Sequence, residues 1–246
     1  MLRLKSPLLA RISVIRARLF FVTAVVLLLL LWNTPYIFPL KLFTVIVHEL
    51  THALTAWATG GKLLSFSYDY QEGGAAITSG GNRFLILASG YLGSAFFGGL
   101  IITLATRTNI DRFLSFILGI GLAGLTFYYA TAETKILFAY LFAAFYLLAA
   151  FQFSSMVCEA LLILIGLANC CYAWIDIVQD VFLSTGSVSD ATTLAQLTGF
   201  PSLFWGAFWL LLATSMTWFF AQIALNGRTS RDIVEEVLEE EGSSDE

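Results

Sequence analysis

The pentapeptide His48-Glu49-Leu50-Thr51-His52 holds both histidines of the chain. On a helix, side chains four residues apart share a face, so the two imidazoles can reach one Zn²⁺ at about 2.0 to 2.1 Å while the intervening glutamate reaches a water beside the ion. That is the chemistry of metal-assisted hydrolysis. The ion lowers the pKa of water to about 7, and Glu49 is the candidate catalytic base. Three fixed positions of these types arise by chance in roughly one chain of this length in a hundred. His48 and His52 are thus candidate metal ligands, and Zn²⁺ is the expected cofactor.

The element that must present them is an apolar run from Pro39, placed as a first-turn proline, to Thr59, with Gly60 and Gly61 as its stop. A carboxylate at bilayer depth costs roughly 2.5 kcal/mol or more, so an acid there is functional by default. A cation gives Glu49 its reason to be there. The whole chain fits that setting: of 246 residues, 58% are hydrophobic and 12% charged, with a mean hydropathy of +0.81. A soluble domain with a hydrated surface does not carry such values.

The expected fold is an all-α polytopic membrane protein of six to seven transmembrane helices, an integral, multi-pass protein whose immediate partner is the lipid bilayer. The apolar runs cover residues 19–36, 39–59, 84–106, 113–132, 136–151, 156–183 and 200–225. The uncharged boundary at 151–155 is the faintest. Residues 1–18 form a basic leader, 19–225 the transmembrane domain and 226–246 an acidic tail. The leader carries Arg3, Lys5, Arg11, Arg16 and Arg18 and no small-residue cleavage site follows the first run, so that run reads as a retained anchor with its amino terminus in the cytosol. Eight of the 17 acids fall between Asp232 and Glu246, and the remainder of the chain has 13 basic against 9 acidic residues. The net charge of −4 therefore describes an appendage, and nucleic acid is excluded as a partner. Cys158, Cys170 and Cys171 sit in apolar stretches and read as small buried hydrophobes rather than a disulfide framework.

A hydrolytic zinc site needs a third protein ligand. The intramembrane acids are Glu133, Glu159, Asp176 and Asp180. If the second span runs from outside to inside, His52 lies about 12 Å from its inner end at 1.5 Å per residue. The sixth span runs the same way by parity, and that depth favours Asp176. Asp180, one helical turn on, is the alternative. Asp190, with Ser187 and Ser189 beside it in the polar segment 184–199, reads as part of an N-cap cluster before a short amphipathic stretch at 191–197, lying along the membrane surface, with contact to the site as the lesser alternative to capping.

Between the second and third spans the pattern changes to alternation, with Leu64, Phe66, Tyr68 and Tyr70 against Ser65, Ser67, Asp69 and Gln71. Period two implies a strand, and Gly73-Gly74 followed by a second run through Ile77 implies an interfacial β-hairpin after the metal-binding helix. A transmembrane helix hides its amides in internal hydrogen bonds, so a protease must hold an unwound segment. An edge strand can do so by strand addition. Leu64, Phe66 and Tyr68 are the candidate substrate-binding residues.

Taken in order, HELTHALTAWATGGKLLSFSYD at 48–69, ASGYLGSAFFGG at 88–99 and NCCYAWIDIVQD at 169–180 followed by SDA at 189–191 resemble the site-2 protease family of intramembrane zinc metallopeptidases, in its compact branch. The resemblance implies that His48, His52 and an acid on a late helix hold zinc, that Glu49 is the base, that a transmembrane or membrane-associated protein is the substrate, and that Asn169 lies at the substrate site. Well-studied members place the third-ligand Asp in a pattern of Asn, a Pro-containing run and Leu-Asp-Gly. Here Asn169 precedes Asp176 by seven residues, the prolines are missing and Ile177 replaces the Gly. The small residues Gly90, Ser94 and Gly98, with Ala95 and Gly99, make a stripe for close helix approach. The resemblance implies that this third span packs on the metal helix. The function expected is zinc-dependent proteolysis within the membrane. The rivals are a catalytically silent membrane scaffold that keeps the motif and a metal or proton transporter, for which ionisable residues should spread through several spans rather than gather on two.

Overall fold

The structure is a computed structural model that describes residue 19 and residues 21–68, 73–130, 136–183 and 189–226. The basic leader, the acidic tail, Glu133, Ser187, and the strand positions Asp69, Tyr70 and Gln71 lie outside the described residues.

The elements run α1 (Phe21–Leu31), α2 (Phe38–Ala58), β1 (Lys62–Tyr68), β2 (Gly74–Ser79), α3 (Arg83–Arg107), α4 (Asp111–Tyr129), α5 (Ile136–Gln152), α6 (Ser155–Ile177) continued by a π-helical turn (Val178–Leu183), α7 (Asp190–Thr198) and α8 (Ser202–Asn226). Polar residues at the boundaries set these limits. Pro39 sits in the first turn of α2, the Asn82 side chain accepts from the Leu85 N–H to start α3, and Ser154 caps α6. Four helices among the described residues are long and apolar enough to cross a membrane: α3, α4, α6 with its π-helical turn, and α8. α1 and α5 are shorter apolar helices, and α2 interrupts its apolar run with Lys41, His48, Glu49 and His52.

α3 is the hub. It packs against α2, α6, α7 and α8, and its small residues are what let those neighbours approach: a Cβ on Gly98 would press on the Gly166 carbonyl of α6, and one on Gly99 on the Phe220 ring of α8. The stripe thus serves three helices rather than the metal helix alone. Two buried apolar clusters result. One joins Leu42, Val45 and Ile46 of α2 with Phe66, Tyr68, Leu162 and Tyr172. The other joins Tyr91, Ile177, Leu194 and Trp209. The three cysteines are free and buried.

β1 and β2 form an antiparallel hairpin with a register shift between Leu63 and Ser65. That bulge changes which side chains share a face. Leu64 is 59% exposed, while Leu63, Phe66 and Tyr68 are buried, so Leu64 does not share a face with the other two as strict alternation predicts. Phe66 also makes a parallel bridge to Ala130 at the end of α4, and the Tyr68 hydroxyl accepts from the Ala139 N–H at 3.1 Å. Both aromatic residues are core, not open lining. β2 is the exposed strand of the pair.

Candidate metal centre

α2 delivers His48, Glu49 and His52 to the interior, all buried. The ring of His48 stands edge-on between Tyr91 and Tyr172, with centroids 5.1 and 6.0 Å away, so it occupies the seam between the two apolar clusters. The Thr51 hydroxyl of the same motif lies 2.7 Å from the His48 carbonyl and 2.8 Å from that of Ser89 on α3, which locks the two helices in register.

The Nε2 atoms of both imidazoles face one carboxylate oxygen. Asp190 Oδ2 lies 3.3 Å from His48 Nε2 and 3.1 Å from His52 Nε2. Two ligands on a tetrahedral ion at 2.0 to 2.1 Å stand about 3.3 Å apart, so these separations match the edges of such a cage. Asp190 Oδ2 is nevertheless a buried atom without a hydrogen-bond partner. A buried carboxylate oxygen left so is costly unless a cation completes it. Gly90 of α3 borders the same space: a Cβ there would run into His48 Nε2 and His52 Nε2. The donor set, the orphaned oxygen and the missing side chain together fit one Zn²⁺, with His48, His52 and Asp190 as the residues able to hold it.

Asp190 is free to do this because another residue caps its helix. Ser189 accepts from the Thr192 N–H and Thr192 reaches back to the Ser189 N–H, a reciprocal capping box. Asp190 is therefore the first residue inside α7 rather than its cap, and its carboxylate points at α2. Burial would raise the pKa of this carboxyl, but the facing imidazoles, His52 foremost and then His48, hold it below the usual carboxylate range. α7 packs against α3 and α8 with Ala191 and Leu194 buried.

Asp176, the expected third ligand, lies on the other side of His48, with Oδ2 3.6 Å from Nδ1. Asp180 accepts from the Tyr91 hydroxyl at 2.8 Å. The two acids were expected to stack one turn apart on a regular helix, but the π-helical turn that begins at Val178 widens the repeat and sends them to different partners. Depth places Asp176 at the level of the imidazoles, and the structure sets it beside His48 Nδ1 rather than at the point both Nε2 atoms face. Asn169 is fully buried and its amide donates to the Ile165 carbonyl of its own helix, within the α3–α6 contact. Glu159 stands near the opposite end of α6 from Asp176.

The hairpin forms the roof. The Glu49 carboxyl lies against the Ala76 backbone of β2, and a Cβ on Gly74 would strike the Glu49 side chain. β2 can lie this close to Glu49 only because position 74 is glycine. One support of the imidazoles was invisible in the sequence: His52 Nδ1 donates to the Ile86 carbonyl of α3 at 2.6 Å. For Asp190 there was a signal, since a Ser directly before an Asp, with Thr three residues after that Ser, already supplies the cap and leaves the Asp spare.

The family model described as Peptidase M50B-like matches residues 21–220. No curated protein and no solved structure matches the chain.

Proposed function

The chain belongs to the peptidase M50B-like family, within the site-2 protease group, and from that premise we propose that it is a multi-pass membrane metalloprotease that uses one Zn²⁺ to hydrolyse peptide bonds in or near transmembrane segments. The observation that carries the reading is the convergence of His48 Nε2, His52 Nε2 and Asp190 Oδ2 on one buried point. His48, His52 and Asp190 would hold the zinc, which would supply Lewis-acid polarisation of a carbonyl and a water acidic enough to be activated at neutral pH. Glu49, adjacent to the ligands and beneath β2, takes the proton of the attacking water on its carboxylate and returns it to the leaving amide nitrogen. The aromatic walls of Tyr91 and Tyr172 and the roof of β2 keep bulk water out, so each charge in the site acts in a low dielectric.

The substrate segment is placed on β2 rather than β1. Phe66 and Tyr68 are committed to the core and β1 is bridged by Ala130, whereas β2 is exposed and its Gly74 lies against the Glu49 side chain. An extended peptide pairing with β2 lies next to Glu49. The concentration of ionisable groups on α2, the end of α6 and the start of α7 speaks against a transporter.

The test is the zinc content of detergent-purified protein together with cleavage of a membrane-helix substrate. Wild type should hold stoichiometric zinc and cut, while Glu49→Gln should hold zinc and fail to cut. Zinc retention with no cleavage by either protein supports the silent scaffold. Absence of zinc in the wild type under metal-replete conditions removes both readings.

A further inference from the structure

The two imidazoles are oriented by different means. His52 has its Nδ1 tied to a backbone carbonyl, Ile86, at 2.6 Å, which fixes the tautomer that leaves Nε2 free. His48 Nδ1 is buried and has no hydrogen-bond partner. Among the described residues the acid in ion-pair range of it is Asp176, 3.6 Å away, too far for a hydrogen bond. Tyr172, one turn before Asp176 on the same helix, lies close enough to act on its carboxylate, and its ring flanks His48. A buried N–H left without an acceptor is costly, and catalytic hydrogen bonds in ligand-free sites are often long and tighten when the site is loaded.

We propose that Asp176 is a positioning residue: in the metal-loaded site its carboxylate accepts the His48 Nδ1–H, holding that ring with Nε2 toward the ion, while Tyr172 holds the carboxylate. The proposal rests on the metalloprotease reading above and gives Asp176 a role different from coordination. A carboxylate behind a ligating imidazole raises its donor strength, and removing such a partner weakens metal binding about 10- to 100-fold. The geometry supports it twice over, because Asp176 faces the nitrogen that points away from Asp190 and because the equivalent nitrogen of His52 already has its acceptor.

The experiment measures zinc affinity by chelator competition, and the visible spectrum at saturating Co²⁺, on the full-length detergent-solubilised protein. Asp176→Asn should bind zinc about 10- to 100-fold more weakly, yet at saturating Co²⁺ its absorption bands should coincide with those of wild type, because the ligand set is intact. Tyr172→Phe, which keeps the ring beside His48 and loses only the hydroxyl, should weaken zinc a few-fold in the same direction, about the lower end of that range. It also serves if Asp176→Asn fails to fold. Metal-free Asp176→Asn should melt with metal-free wild type, which a purely structural aspartate would not allow. Unchanged zinc affinity in both variants overturns the proposal alone. A shifted or weakened Co²⁺ spectrum in Asp176→Asn overturns it by making Asp176 a ligand. Wild type that binds neither metal overturns this proposal together with the function it rests on.

Discussion

Two clusters in this molecule are each built around one aspartate and differ in what surrounds it. At the turn between α3 and α4, Asp111 is fully buried and accepts from the Ser155 hydroxyl at 2.6 Å. Its neighbour Arg112 donates to the Ala150 and Phe151 carbonyls at 2.9 and 2.8 Å. Donors there meet acceptors, and the result joins the start of α4 to the seam between α5 and α6. At the other cluster, two imidazole nitrogens and a carboxylate oxygen converge on one point. The first cluster ties α4, α5 and α6 together and acts as a staple. The second gathers three metal-ligating atoms about one point, where a cation would complete it. Donors aimed at carbonyl and carboxylate oxygens mark structure, and converging ligand atoms mark a candidate site.

That contrast predicts opposite responses to mutation. Asp190→Ala should give the largest effect: one of three protein ligands is lost, so zinc content, read by metal analysis, should fall to background and cleavage with it. Full zinc retention would mean that the converging atoms are not the ligands. Glu49→Gln is the next largest, cutting turnover by about 10²- to 10⁴-fold with zinc content unchanged, as a substrate-cleavage assay would report. Gly90→Ala should weaken zinc about tenfold or more through the crowded imidazoles; it should also lower the melting temperature of the metal-free protein, because overpacking costs about 1 to 3 kcal/mol against the ~1 kcal/mol by which alanine favours the helix. Smallest is Ser155→Ala at the staple, which should cost about 1 kcal/mol of stability and leave zinc affinity untouched. A loss of zinc in Ser155→Ala would erase the distinction between the clusters.

The faint boundary at 151–155 shows how much local pattern can carry. No charge marks it, but Ser154 does cap α6, and the turn is fixed from outside by Arg112, whose partners in sequence are 38 and 39 residues away. The hairpin shows the limit from the other side. Alternation correctly announced strands after the metal helix, while a single bulge, which leaves alternation in the letters intact, moved Leu64 away from Phe66 and Tyr68.

What the sequence determined by itself is whatever repeats over a few residues: the helix bearing His48, Glu49 and His52 on adjacent faces, the apolar runs that became α2 to α6 and α8, and the glycine-marked hairpin. These follow from helical and strand periods and from capping chemistry, which act between near neighbours. What only the tertiary structure decided is which acid meets the imidazoles. Depth favours Asp176 and the capping pattern keeps Asp190 at the surface, yet Asp190, 14 positions later, is the acid that faces both Nε2 atoms, and this depends on the π-helical turn that ends α6 and on α7 returning against α3 and α8. Such a return is fixed by packing between distant segments, a property of the assembled core and not of any window of letters.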